Sequence, residues 1–405
     1  MDHANLLRPA DEAELAVLVA EAAGSGRSLE LIGKATKRGL GRPVASEAMV
    51  DLSCLTGVID YSPEELVLTA RPGTPLSEIE ATVGAASQML AFEPPDFGPL
   101  YGGVAGAGTL GGTLACNLSG PRRLKAGAAR DHFLGFRAVN GRGEAFKAGG
   151  KVVKNVTGYD LCKVIAGSYG TLVALTEVAI KVLPAPEATM TLCLMGLAPD
   201  AAMTALGMAL ASPHEISAAA YTPAEITTDL TPLGASACAA IRIEGVAPSV
   251  KARALALRDL LGKQGEVSSI EGEVARRFWI ALRDVAPFAC HNEPLWRLSV
   301  PPAVGAKAQA RLIEAMPGAR LYHDWGGGLI WLIAPSAKDA AATAVRGALA
   351  GLGGHATLVR APLEARAHGP VFEPQEPALD ALSRRLKASF DPRAIFNRGR
   401  MYEGV

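Results

Sequence analysis

The apolar positions change period several times along the first 185 residues. Residues 10–23, ADEAELAVLVAEAA, read as an amphipathic helix, with Asp11 as N-cap, Glu14 three residues on and Gly24 past the end. Ser28–Gly33 reads as a short strand that runs into the loop GKATKRGLG, and Met49–Leu52 as a second strand. Gly57–Asp60 and Leu66–Ala70 form a strand pair about the turn Tyr61–Glu64. Thr74–Val83 opens a helix with Thr74 as cap and Pro75 in its first position. Phe133–Asn140 is a strand, Gly141–Gly143 its turn and Glu144–Ala148 its return. Asp160–Ala166 reads as helix and Thr171–Leu183 as a long strand. Between these lies the glycine-rich run 94–128, too apolar for a disordered linker, which reads as loop around a short helix at 111–118.

After Pro184 and Pro186 the pattern shifts. Strand-like runs (Met190–Met195, Ala237–Glu244, Leu295–Val300, Gly328–Ile333) alternate with Ala- and Leu-rich helices at 199–211, 248–263, 303–316 and 336–351. This predicts an α+β domain with an antiparallel sheet over 186–370. The tail, 371–405, carries a helix at Pro377–Ser389 and then FDPRAIFNRGRMYEGV.

Charge removes whole classes of function. Forty basic residues balance forty acidic ones, and aromatics make up 5 %. Neither a phosphate-backbone footprint nor a base-stacking surface is written here, so no nucleic-acid partner is expected. The six cysteines form no C-x-x-C pair, so neither a zinc site nor a cysteine-ligated iron–sulfur cluster is encoded, and a reducing cytoplasm is expected. No signal peptide and no apolar run of membrane-spanning length is visible; a membrane would be reached only through partners.

Two glycine-rich segments carry candidate chemistry. Gly33-Lys34-Ala35-Thr36-Lys37-Arg38-Gly39 follows a strand, and its backbone N–H groups and three cations suit a pyrophosphate; a solvated basic turn would read the same way. It is not a Walker A loop, because Ser28 and Ala35 stand where that motif needs glycine and a hydroxyl. Gly106-Ala107-Gly108-Thr109-Leu110-Gly111 is formally G-x-G-x-x-G, yet no βαβ unit surrounds it, so a Rossmann reading fails. What remains is a row of backbone donors entering a helix, or a loop whose glycines serve tight packing. Lys154–Asp160 is a polar turn before a helix, Ala166–Leu172 puts two glycines three apart before a strand, and Asn397-Arg398-Gly399-Arg400 is a polar stop after Ile395-Phe396.

In this order these segments resemble the E-subunit family of bacterial glycolate oxidases, within the vanillyl-alcohol oxidase/p-cresol methylhydroxylase (PCMH) flavoprotein superfamily. The resemblance covers essentially the whole chain. It is strongest in TLGGTLACNLSGPRR, ARDHFLGFRAVNGRGE and KNVTGYDLCKVIAGSYGTLVALTEVAIKVLP, and includes the FDPRAIFNRGRM tail, where Arg398 replaces the usual proline. It implies an α+β fold: a two-part PCMH-type FAD-binding domain over 1–185 (subdomains about 1–60 and 61–185), an α+β cap domain with antiparallel sheet over 186–370, and a C-terminal return over 371–405. It implies the pyrophosphate on Gly33, Lys34, Ala35, Thr36, Lys37 and Arg38 and on Thr109, Leu110, Gly111 and Gly112. Asn117, Gly120 and Arg122 would lie near pyrophosphate or flavin; Gly167, Gly170, Thr171 and Leu172 would approach the adenine–ribose half; Asn397 would return toward the isoalloxazine. The first loop lacks His, Cys or Tyr, and Cys116 has no evident reason to be a tether, so the implied FAD is non-covalent. The implied partners are other flavoprotein and iron–sulfur subunits and a small 2-hydroxyacid substrate.

No catalytic acid–base pair is evident. The related D subunit carries a His-rich metal motif, of which His323-Asp324-Trp325-Gly326-Gly327-Gly328-Leu329 keeps one His, so no metal is expected and His323 reads as a structural strand-end residue. Cys290–Glu293 is a surface turn or a substrate loop, and Arg283 and Arg297 are solvated side chains or carboxylate clamps. Three readings stay open: a flavin-bearing partner subunit, a self-sufficient 2-hydroxyacid dehydrogenase, and a scaffold.

Overall fold

A computed structural model describes residues 6–150, 158–228, 230 and 234–405. The turn residues Lys154–Thr157 lie outside them. The chain divides into two compact units: residues 1–119, 127–185 and 374–405, and residues 120–126 with 186–373.

The first unit is built on two main sheets, with a two-stranded pairing of Gln88–Met89 and Leu183–Pro184 beside them. A small parallel sheet orders Leu6–Leu7, Ala48–Asp51 and Leu29–Ile32. The helix Glu12–Ser25 covers it, capped by the Asp11 carboxylate at its start and by Gly26 in the left-handed region at its end. Leu15, Val19, Leu29 and Val50 of these elements bury completely together with Ile395 and Phe396 of the tail. The tail therefore extends this sheet, with Leu29 bridged to Phe396. The second sheet is antiparallel, in the order Val58–Ser62, Val67–Ala70, Val173–Lys181, Phe133–Asn140, Ala145–Gly149. One of its faces is closed by the helix Leu76–Ala85 and the short helices Leu110–Ala115 and Leu161–Ile165, through Ile79, Val83, Leu110, Leu114 and Ile165. Burying side chains of this kind contributes roughly 1.5–3 kcal/mol each.

The second unit holds one eight-stranded antiparallel sheet, twice the four strands that the apolar runs announce. Its order is Val267–Glu271, Ala188–Met195, Cys238–Gly245, Ala218–Thr222, Arg320–Asp324, Leu329–Ile333, Leu295–Ser299, His355–Arg360. Ala218–Thr222 (AAAYT) is buried along its whole length but too small-chained to register as a strand run. Gly272–Arg283 is a further helix, with Phe278, Trp279 and Leu282 on its buried face. Residues 336–341, read as helix, are not: the helix spans Ala342–Leu349 and follows Ala340 and Ala341 in the left-handed region.

Candidate flavin site in the first unit

A cleft opens in the first unit, lined by the Gly33–Arg38 turn, Thr109, Gly111, Gly112 and Gly170 among others. Its rim begins where the strand Leu29–Ile32 ends. Gly33–Arg38 turns there, with Ala35 at φ 56°. Among the described residues, the amides of Lys34, Ala35, Thr36 and Lys37 donate to no protein acceptor, while Arg38 N–H closes the turn on the Ala35 carbonyl at 3.1 Å. Four neighbouring N–H groups without a protein acceptor are donors of the kind an anion would use.

Lys37 sits at the base of this turn, 8 % exposed. Among the described residues its Nζ bonds only the Thr36 hydroxyl, at 3.5 Å, with no carboxylate within ion-pair distance. Burial lowers its pKa from the ordinary lysine value; Cys116 and Asp96 act weakly the other way. An ammonium buried without a partner is costly, and an incoming phosphate relieves that cost. Arg38 behaves differently from the expectation that it offsets phosphate charge. Its guanidinium forks onto the buried Glu30 carboxylate at 2.8 and 2.6 Å. Arg400 shares Glu30 at 3.5 Å and donates to the Lys37 and Arg38 carbonyls, which fixes the turn from beneath.

Thr109, Gly111 and Gly112 also line the cleft, and Leu110 is buried beneath it. A row of free donors is not what this segment presents. Leu110 N–H donates to the Thr74 carbonyl, Gly111 N–H to the Pro72 carbonyl and Gly112 N–H to the Thr109 hydroxyl. Gly111 is needed for packing: a Cβ there would lie 2.6 Å from Pro72 Cβ. The segment is a smooth wall rather than an anion cradle.

Gly170 closes the far side, at φ 71°. Asn397 lines the cleft as well, but both ends of its side-chain amide serve the protein: Oδ1 accepts from Leu31 N–H at 2.8 Å and Nδ2 donates to the Tyr169 carbonyl at 2.7 Å. It clasps tail, strand and loop together. Thr171 and Leu172 lie behind the wall, buried, with the Thr171 hydroxyl donating to the Ser168 carbonyl. Gly167 stands against Asn117, whose carboxamide oxygen accepts from Arg130 N–H. Neither Asn117, Gly167, Thr171 nor Leu172 lines the cleft.

Sequence reasoning missed Leu52, Pro72, Gly73, Ala115, Tyr169, Val173 and Leu175, which supply most of the apolar lining, and it set Cys116 aside. Cys116 lines the cleft with its thiol pushed up by burial, against the pull of Lys37 and Arg400. It also missed Lys387, buried in the tail helix, whose Nζ binds Asp391 at 2.8 Å and the Thr171 and Phe396 carbonyls at 2.5 and 2.8 Å. Asp391 in turn accepts from Ile395 and Phe396 N–H. This buried pair holds the tail on which Asn397 and Arg400 depend.

The FAD binding domain family matches residues 4–149, which include the Gly33–Arg38 turn and the Thr109–Gly112 wall. Over 399 residues the chain is 37 % identical to the glycolate oxidase subunit GlcE of Escherichia coli K12, covering 98 % of this chain and 99 % of that one. The chain belongs to the GlcE family of glycolate oxidase subunits. Membership carries the flavoprotein assignment, FAD as cofactor, and an oxidoreductase role with 2-hydroxyacids. A partial likeness to the D subunit of Bacillus subtilis glycolate oxidase covers 33 % of this chain and 27 % of the other, at 34 % identity. Among solved structures, p-cresol methylhydroxylase superposes with a TM-score of 0.69 over 98 % of this chain and 88 % of its own, at 14 % identity. That likeness establishes the PCMH-type fold of this GlcE-family chain.

The remaining candidate residues belong to the second unit. Arg122 forks onto Glu244 at 2.9 and 2.8 Å, and the Gly120 carbonyl accepts from Trp325 Nε1 at 3.1 Å. Burial pushes the Glu244 carboxyl up, but Arg242 and Arg122 overcome this and hold it at about 2. His323 is wholly buried and bonded to Gln309 Oε1 at 2.8 Å; burial pushes its pKa down to about 4, so it is neutral. Among the described residues, no three His, Cys, Asp or Glu side chains cluster as metal ligands, and no helix is long and apolar enough to cross a membrane. Arg283 pairs with Asp284 at 2.8 Å, and His291 in the Cys290–Glu293 turn contacts Arg320.

Proposed function

We propose that this GlcE-family chain carries one non-covalent FAD in the first unit's cleft and works as the flavin-bearing subunit of a complex that oxidises glycolate or a similar small 2-hydroxyacid. One observation carries the cofactor assignment: Lys37 is buried without a carboxylate beside four amides without acceptors. A diphosphate satisfies both at once. In this reading the turn Gly33–Lys37 holds the pyrophosphate, the Thr109–Gly112 wall lets a flat group lie close, and Val173 and Leu175 flank it with apolar surface. Asn397, Arg400 and Lys387 act through the turn rather than on the cofactor. The bound flavin supplies the redox chemistry.

The partners in this reading are a second flavoprotein subunit and an iron–sulfur subunit. The names GlcE and GlcD of the matched relatives imply several subunits. Two of the chain's cysteines are exposed and three buried, with Cys116 between; buried Cys193 and Cys238 touch, but among the described residues no group of three or more His, Cys, Asp or Glu gathers as a cluster would need. Onward transfer through iron–sulfur centres then falls to another chain.

The test is the absorbance spectrum of the purified chain. Flavin bands that leave with the supernatant after acid precipitation support the reading; a colourless protein that takes up no added FAD sinks it. Bleaching by glycolate only when the partner subunits are present separates a relay subunit from a self-sufficient dehydrogenase.

A further inference from the structure

Cys116 follows the helix Leu110–Ala115 and lines the cleft of the first unit. Its N–H donates to the Gly112 carbonyl at 3.3 Å, which puts the two residues one turn apart on one face. Lys37 Nζ lies over that face: a Cβ on Gly112 would be 3.8 Å from it, and one on Gly108 3.4 Å. Arg400 lines the cleft too, and both cations pull the Cys116 thiol toward its charged form, against burial. The two cations are held differently. Arg400 is committed to Glu30 and to the Lys37 and Arg38 carbonyls. The Lys37 ammonium, 8 % exposed, has no carboxylate within ion-pair distance among the described residues.

The other cysteines stand elsewhere. Cys54 and Cys290 are exposed, and Cys162, Cys193 and Cys238 are buried; none of these five lines the cleft. What fills the cleft therefore bears on Cys116 and not on them. A buried ammonium short of an anion favours any change that turns its neighbour into one. Oxidation of the thiol by one oxygen atom is such a change, because a sulfenic acid gives up its proton more readily than a thiol.

We infer that Cys116 is an oxidation-sensitive thiol of the cofactor cleft, shielded by bound FAD, and that its sulfenate in the FAD-free chain keeps the cofactor out. The oxidant is hydrogen peroxide. The sulfur attacks one peroxide oxygen, the O–O bond breaks, and the departing hydroxide leaves as water with the thiol proton. Sulfur is oxidised by two electrons to S–OH, and the peroxide is reduced. The sulfenate then occupies Lys37 and repels a phosphate at the same place. This inference rests on the cofactor assignment proposed above.

The experiment maps N-ethylmaleimide labelling of each cysteine by mass spectrometry, in the full-length chain with and without FAD. Cys54 and Cys290 should label alike in both, and Cys162, Cys193 and Cys238 in neither, which reports an intact fold. Cys116 should label in the FAD-free chain and at least tenfold more slowly in the FAD-loaded one. In a second arm the FAD-free chain is treated with hydrogen peroxide, desalted and titrated with FAD. Affinity should fall at least tenfold and return with dithiothreitol, while Cys116→Ala should bind FAD alike before and after treatment. Cys116 labelled equally with and without FAD, Cys116 unlabelled in both, or a treated parent that binds FAD like the untreated one would each overturn the inference. An untreated parent that takes up no FAD would strike the proposed function before any reagent is added, so the two failures are told apart.

Discussion

Among its described residues the first unit buries two lysines, and they differ in everything except burial. Lys387 in the tail is enclosed by a carboxylate and two carbonyls. Lys37 in the Gly33–Arg38 turn has one hydroxyl at the limit of bonding distance. Burial lowers the pKa of both, but at Lys387 the Asp391 carboxylate resists it directly. A buried cation with all its donors used stabilises a fold; one with its donors unused is a place for a ligand. The glycine-rich segments repeat the contrast, with the amides of residues 34–37 unused and those of 110–112 spent on protein.

Breaking the tail should have the largest effect. Lys387→Met leaves Asp391 charged and buried, which costs about 3–5 kcal/mol in chemical denaturation and loosens FAD indirectly. Asn397→Ala removes two hydrogen bonds, to Leu31 N–H and the Tyr169 carbonyl, and should cost about 2 kcal/mol in the same assay. Lys37→Met should act with opposite sign on the FAD-free protein. Removing a partnerless buried ammonium should raise stability by about 1 kcal/mol. A loss as large as that of Lys387→Met would place both lysines in one structural class.

The smallest effect is the pH dependence of that difference. The folded pKa of Lys37 lies below the ordinary lysine value of 10.5. Between the two, the unfolded chain binds more protons, so the FAD-free parent gains stability as pH rises through this window. The penalty is present in full below the folded pKa, and the gain should be missing in Lys37→Met. FAD affinity should fall across the same window, because a neutral amine no longer answers a phosphate.

Much of the first unit was legible because its elements announce themselves. The Asp11 cap, the Gly141–Gly143 turn and the apolar run Phe133–Asn140 each have a local physical cause, and local causes survive folding. The cleft was legible only in outline. The Gly33–Arg38 turn could be named from its charge and glycines, yet nothing local says that Arg38 will be taken by Glu30 and Lys37 left alone. That depends on Arg400, 363 positions from Lys37, reaching beneath the turn. The apolar lining was missed for the converse reason: Val173 and Leu175 look like any strand residues. In the second unit, Ala218–Thr222 escaped because small side chains give no amplitude to a period of two, and the convergence of Arg123 and Arg297 on Trp325 joins residues far apart in sequence.

The contrast between the two lysines is tested most directly by titrating FAD into the FAD-free parent and into Lys37→Met, followed by flavin fluorescence. A dissociation constant raised about 100-fold, the loss of one buried charge-assisted contact to phosphate, with the variant's fold intact, is the expected result. Equal affinity in parent and variant would contradict the assignment of Lys37 and the Gly33–Arg38 turn to the cofactor.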